Sequence, residues 1–169
     1  IPTLGVEDTL INLCIHGSVH GWSSLKWIFD IARLLSSKSV LVDWDSLIER
    51  CRTVGCERIL IVNLRLAFVF FGVKPPDAIA AQILEDKSIT ALVERFRNAI
   101  LCDVPLSPAD LALCHVQLHD RFWDRLLVAY RYLPAPGQIT VGPRRFISRP
   151  VRLFNLYGLA WLRMALTGR

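Results

Sequence analysis

Apolar residues recur at helical spacing along most of the chain, and no segment shows the strict alternation of a half-buried strand. Leu10, Leu13, Cys14 and Gly17 continue one face of a first segment, with Glu7 and Asp8 where a helix N-terminus favours negative charge. Gly21 to Ser24 interrupt that pattern, and Ser23 or Ser24 is suited to cap a second helix that runs to about Leu35. Asp43 as N-cap and Gly55 as stop bracket a third helix. The apolar run from Glu57 to Phe71 predicts a fourth, closed by Gly72 and the pair Pro75-Pro76, and the stretch from Arg58 to Val73 is expected to be buried.

Two short helices are predicted next, from about Asp77 to Leu84 and from Ser88 to Leu101. In "SPADLALCHVQLHDRFWDRLLVAYRYL", Ser107 as cap and Pro108 at the first helical position open one long helix, with Leu111, Leu118, Phe122 and Leu126 in register. "PAPGQITVGP" holds three prolines and two glycines and reads as a loop. A last amphipathic helix is predicted from Pro150 to Leu166. The expected architecture is all-α, a bundle-like domain of six to eight helices over residues 1–169. Within it, 1–133 form the helical core, 134–149 a Pro/Gly/Arg loop and 150–169 a basic amphipathic end.

Composition adds a surplus of apolar material. The chain is 53% hydrophobic with a mean hydropathy of +0.38, so it is either mostly core or has a face meant to be covered. The most membrane-like window, Arg58 to Lys74, is shorter than the roughly 20 residues a spanning helix needs. It also carries Arg65 near its middle, which favours a buried helix over a transmembrane one. Five cysteines without a C-x-x-C spacing suggest reduced thiols and a cytoplasmic protein. A start at Ile1 without a leader pattern suggests a piece of a longer protein.

Charge is unevenly spread. Eight of the 20 basic residues lie after Asp124, where no acid follows, leaving 12 against 15 acids in the first 124 positions. That front is therefore −3 and the remainder +8, a balance suited to a polyanion, or to solvated arginines paired with acids of the front.

The chemistry-bearing pattern is concentrated in "LCIHGSVHGWSSLKWIFDIARLL", Leu13 to Leu35. His16 and His20 have the i, i+4 spacing of helical zinc ligands, but a zinc protease needs Glu after the first His and this chain has Gly17. No third ligand stands at a readable spacing, so no metal site is expected. "CHVQLH", Cys114 to His119, reads more simply as a core-facing stripe. Gly17-Ser18 with "DWD" at Asp43 to Asp45 mimics the Gly-Ser and Asp-x-Asp of polymerase-beta-like nucleotidyltransferases. An amphipathic helix separates the two, however, and Asp43 is better placed as a cap. There is no P-loop, no dinucleotide fingerprint and no nucleophile elbow.

Taken whole, the segment resembles the H-G-x-x-H-x-W-x-x-L-K-W-x-x-D-I-A-x-L-L motif of an uncharacterised bacterial nucleotidyltransferase family in the polymerase-beta-like superfamily. The likeness extends into "VDWDSLIERCRTVG" and into "RPVRLFNLYGL" in the tail; between His20 and Trp22 this chain has Gly21. In that family a catalytic sheet with the metal-binding acids precedes the segment. The resemblance therefore implies the C-terminal helical part of a nucleotidyltransferase that moves a nucleoside monophosphate from a triphosphate to an acceptor. Magnesium and the nucleotide would be handled by the longer protein, and an upstream catalytic domain would be the partner. This part alone would be inactive and would need no cofactor.

By that resemblance Lys26 would contact phosphate, Asp30 would orient Lys26 or the attacking group, and His16 and His20 would line the nucleotide site. On a helix Lys26 and Asp30 lie one turn apart, in the order less favourable for a simple stabilising pair. The short turn at Gly21 to Ser24 would bring the two histidines beside them, either as a site or as a hydrogen-bonded seam that pins two helices. The alternative function is a non-catalytic helical module whose basic tail docks on nucleic acid or an acidic partner.

Overall fold

Helix ends in this protein fall where side-chain caps and left-handed residues put them. A computed structural model describes residues 5–37, 41–75, 77, 79–80 and 86–132. They form seven helices and no strand: α1 (Val6–Val19), α2 (Leu25–Ser36), α3 (Trp44–Val54), α4 (Glu57–Phe71), α5 (Lys87–Leu101), α6 (Pro108–Gln117) and α7 (Phe122–Tyr132). The fold is all-α.

Ser24 caps α2 by accepting from the Lys26 N–H, and Asp43 caps α3 by accepting from the Ser46 N–H. Asp86 caps α5 through the N–H groups of Ser88 and Ile89. Ser107 accepts from Asp110 N–H at the start of α6, with Pro108 behind it. Gly55 and Gly72 end α3 and α4 in the left-handed conformation, which costs glycine nothing.

α4 is the central element and packs against α1, α2, α3 and α5. Its Ile59, Leu60, Val62, Leu64 and Leu66 are buried, joined by Leu10 and Ile11 from α1, Ile28 and Ile31 from α2, Leu47 from α3 and Phe96 from α5. Each such side chain contributes about 1.5–3 kcal/mol by leaving water. α6 and α7 form a pair that is joined to the end of α1, to the start of α4 and to the end of α3. Among the described residues no helix is long and apolar enough to cross a membrane.

Two expectations are corrected. The long helix opening at Ser107 is two helices, broken between Gln117 and Phe122. Arg58 of α4 and arginines of the segment itself hold the break. Arg58 Nε donates to Gln117 O at 2.9 Å, and the Arg58 N–H donates to the Asp120 carboxylate at 3.3 Å. Arg121 donates to the carbonyls of Arg52 and Thr53, and Arg125 Nε donates to His119 O at 2.7 Å. The bonds to Gln117 O and His119 O satisfy carbonyls that a continuous helix would have paired internally. Secondly, burial of Arg58 to Val73 holds only for the first part, because Phe68, Val69 and Phe71 are exposed on the last turn of α4. Most of the predicted Asp77 to Leu84 helix, the loop at 134–149 and the helix from Pro150 to Leu166 lie outside the described residues.

Candidate functional site

The turn between α1 and α2 builds the candidate site. α1 closes at His20, and Gly21 and Trp22 then take left-handed backbone conformations, with φ of 57° and 47°. For tryptophan that conformation is costly, so tertiary contacts must hold it. Trp22 is fully buried, lies edge-on to Phe96 with ring centroids 4.3 Å apart, and donates its indole N–H to Asn63 Oδ1 at 2.7 Å. The Asn63 amide in turn donates to Cys14 O and Ile59 O, at 3.2 and 2.8 Å. Its side chain is therefore satisfied on both ends within the core.

Gly17 lets this turn close. A Cβ there would stand 3.1 Å from Trp22 Nε1 and 3.4 Å from the Cβ of Trp27. At Gly21 a Cβ would come within 2.5 Å of Leu111 Cδ1 on α6. The next residue, Ser18, gives its carbonyl to His115 Nε2 at 2.8 Å. A carbonyl only accepts, so Nε2 carries the proton, and His115 Nδ1 accepts from the hydroxyl of Tyr132. Burial lowers the His115 pKa to about 4, against the pull of the Ser18 hydrogen bond, and burial raises that of Tyr132 to about 12. Both stay neutral near pH 7 and fix α1 to α6 and α7.

With the turn fixed, His16, His20 and Trp27 come together at the surface end of the α1–α2 seam. The His16 ring lies edge-on to His20 at 4.7 Å and edge-on to Trp27 at 4.5 Å, while His20 stacks on Trp27 at 5.4 Å with 12° between planes. Burial, and then His20, lower the His16 pKa below its ordinary value. Lys26 is exposed, and its Nζ stands 5.9 Å from the Trp27 ring centroid, at the edge of cation–π range.

The structure thus brings His16, His20 and Lys26 around one indole. Asp30 lies one turn beyond Lys26, half-buried, and no ion pair joins the two among the described residues. Trp27 is the member that sequence reasoning left out, although it stands in the quoted motif beside Lys26. Lys26, Phe29, Asp30 and Arg33 are spaced to share one side of α2. There Phe29 is exposed and meets Phe71 of α4 at 5.6 Å between ring centroids.

What this arrangement offers is a cation, a half-buried carboxylate and a flat aromatic surface. It does not offer a metal centre. Among the described residues no three His, Cys, Asp or Glu side chains are arranged to hold a metal ion. Asp43, the first acid of "DWD", uses its carboxylate to cap α3. These residues do not fit a two-magnesium site, which needs clustered carboxylates about two metals roughly 3.5–4 Å apart.

A family model described as an uncharacterised nucleotidyltransferase matches residues 1–72. The match ends on Gly72, the residue that closes α4, so it takes in the His16, His20, Lys26 and Asp30 positions and the α3 segment. It does not reach the tail segment at 150–160. It supports a nucleotidyltransferase-like relationship for this front part of the chain. No curated protein and no solved structure matches the chain.

Proposed function

We propose that the first four helices are the nucleotide-facing helical part of a nucleotidyltransferase, with Lys26 as the phosphate contact. The observation that carries this reading is the exposed Lys26 ammonium 5.9 Å from the Trp27 ring, beside the His16–His20–Trp27 cluster and inside the segment that the family model matches. A lysine ammonium offers a point charge to a triphosphate. Asp30, one turn away on the same side, would orient that ammonium or an attacking group once substrate is present. His16 and His20 would contact the nucleotide around Trp27, His16 as a neutral imidazole because its pKa is lowered.

Magnesium and the catalytic carboxylates belong, in this reading, to a part of the enzyme other than the described helices. The apolar patch beside Lys26, made by Leu25, Phe29, Phe68 and Phe71, is where that part would close over the nucleotide. The reaction class is transfer of a nucleoside monophosphate from a triphosphate.

The experiment is a titration of the 169-residue chain with a nucleoside triphosphate, followed by the NMR signals of the Trp27 indole and the His16 and His20 rings. The reading predicts saturable shifts confined to these residues and lost in Lys26→Ala. Unchanged ring signals at millimolar nucleotide would refute it. A second reading, a non-catalytic module with its basic stretch on nucleic acid, draws on the eight arginines that follow Asp124. It predicts instead salt-dependent binding of nucleic acid that is indifferent to Lys26.

A further inference from the structure

Helix α7 is amphipathic with its two sides exchanged. Val128 faces inward and is buried. The charged side chains share that side. Arg121 donates to the carbonyls of Arg52 and Thr53, Arg125 donates to His119 O, and the charges of Asp124 and Arg131 act on the buried His119. Phe122, Trp123, Leu126, Leu127 and Tyr130 are all exposed, Trp123 at 76% and Tyr130 at 73%. At 100° per residue these five fall within one arc of about 140° opposite Val128, and no charged residue of α7 falls in it. A surface helix ordinarily gives its charges to water and its apolar stripe to the core. Five large apolar side chains side by side, with the charges turned away from them, mark a surface that something covers.

The face is its own complement. Trp123, Leu126, Leu127 and Tyr130 stand at i, i+3, i+4 and i+7, so the stripe reads aromatic, leucine, leucine, aromatic in either direction. A second α7 laid antiparallel about a twofold axis between Leu126 and Leu127 sets Trp123 against Tyr130 of the partner subunit. It also sets Leu126 against Leu127 of the partner subunit, and symmetry makes each contact twice. Phe122, edge-on to Trp123 at 5.6 Å between ring centroids, widens the patch at each end. Three aromatic side chains of roughly 200 Å² each, 65–76% exposed, and two nearly half-exposed leucines offer on the order of 500 Å² per chain. Across a pair that makes about 1,000 Å², the size at which a specific interface forms. Trp and Tyr carry much of the binding energy in such interfaces, whose centres are poor in charge. A lipid surface fits less well. A helix lying on one sends its arginines to the headgroups, whereas Arg121 and Arg125 are bonded to the protein's own carbonyls.

We propose that the chain forms a homodimer through α7, with two copies of the helix packed antiparallel about a twofold axis between Leu126 and Leu127. Arg121, Arg125 and Tyr132 tie α7 to its own chain, so two folded units associate and no helix is exchanged. The proposal stands independently of any nucleotide site on α1 and α2.

The test is sedimentation equilibrium of the whole 169-residue chain over a range of concentrations, with circular dichroism as the check on folding. The unaltered chain should run at twice its 19.2 kDa mass. Leu126→Lys and Leu127→Glu, both at exposed positions, should each weaken dimerisation about a hundredfold, roughly tenfold for each of the two altered contacts. The helical spectrum should not change. Mixing the two variants should restore a dimer. The antiparallel register sets the new lysine against the new glutamate and leaves Leu127 of one chain against Leu126 of the other. A monomer at every concentration, a dimer indifferent to both substitutions, or a mixture that stays monomeric would overturn the proposal. Benzoylphenylalanine in place of the exposed Trp123, in an otherwise unaltered chain, should photo-crosslink to α7 of a second chain near Tyr130. Cross-links confined to one chain, or none at all, would overturn it as well.

Discussion

The indole N–H of Trp22 and the Oδ1 of Asn63 are 2.7 Å apart, and this bond ties the α1–α2 turn to the middle of the central helix. Trp22 holds a left-handed backbone conformation that tryptophan seldom adopts, next to Gly21 in the same conformation. Asn63 is placed where α4 is otherwise apolar, between Val62 and Leu64. Neither residue would be chosen for the stability of its own element. Together they set the direction in which α2 leaves the turn, and so the position of Lys26 and Trp27 against His16 and His20.

Asn63→Leu should therefore be costly even though it makes α4 more apolar. It leaves the Trp22 indole N–H unpaired in the core, at roughly 1–3 kcal/mol for such a group, and removes the additional bond to the Cys14 carbonyl. Trp22→Phe removes the donor and strands Asn63 Oδ1. If the two residues act as one unit, the double variant should lose clearly less than the sum of the two losses in urea denaturation. Additive losses would show that the bond does not couple them.

Much of the helix layout was legible because its signals are local. Ser24, Asp43, Ser107 and Pro108 lie beside the N–H groups they satisfy or replace, and Gly55 and Gly72 stand where a left-handed residue ends a helix. The break after Gln117 was not legible, because Arg58 makes it from 59 residues away and Arg121 reaches back to Arg52 and Thr53. The apolar register from Leu111 to Leu126 continues across the break, yet Leu118 is buried while Phe122 and Leu126 point to solvent. In the candidate site, the pairing of His16 with His20 followed from their spacing. The part played by Trp27 depends on Gly17 having no side chain, a fact of tertiary packing.

Acid should weaken the protein in two windows. Burial lowers the His115 pKa to about 4, while the unfolded chain titrates near the ordinary 6.5. Between these values the unfolded state binds the extra proton, so stability falls as pH drops from about 6.5 to 4, by up to roughly 3 kcal/mol. Further down, burial raises the Asp86 pKa but hydrogen bonds from Ser88, Arg58 and Ile89 outweigh it and hold it at about 2. Its contribution is present above the ordinary carboxylate value of 3.8 and is lost as pH falls towards 2. Urea midpoints at pH 7, 5.5 and 4.5 should decline steadily, and His115→Gln should flatten much of that decline. A flat profile in the unaltered chain would contradict the buried neutral imidazole.

Thiol reactivity should be confined to one cysteine. Cys14, Cys51, Cys56 and Cys114 are buried, and Cys102 is exposed just past the end of α5. Burial raises the pKa of Cys14 and Cys114, and the hydrogen bond with Cys56, followed by burial, raises that of Cys51. The thiolate is the reactive form, so these thiols are protected twice. A thiol reagent at pH 8 should titrate one group quickly in the native chain and five after unfolding. Cys102→Ser should abolish the fast phase, and a remaining fast phase would place another cysteine at the surface.

Gly17→Ala tests the packing at the α1–α2 seam. The added methyl meets Trp22 Nε1 at 3.1 Å and must push Trp27 or Trp22 aside. The expected cost is about 1–3 kcal/mol in stability, with the His16 and His20 ring signals displaced in NMR spectra. An unperturbed seam would mean that the close approach of the two tryptophans does not set the site.

If the α1–α2 seam presents Lys26 to a nucleotide, Lys26 should matter for the transfer reaction itself. The most direct test is the rate of nucleoside monophosphate transfer from a labelled triphosphate, measured on the full-length polypeptide encoded by the gene and on its Lys26→Ala variant. A charge contact made in the transition state is worth about a hundredfold or more in rate. Because Lys26 is exposed and supports no buried contact, a loss of that size is expected with nearly unchanged thermal unfolding. Full transfer activity in Lys26→Ala, or a loss accompanied by an equal collapse of the fold, would contradict it.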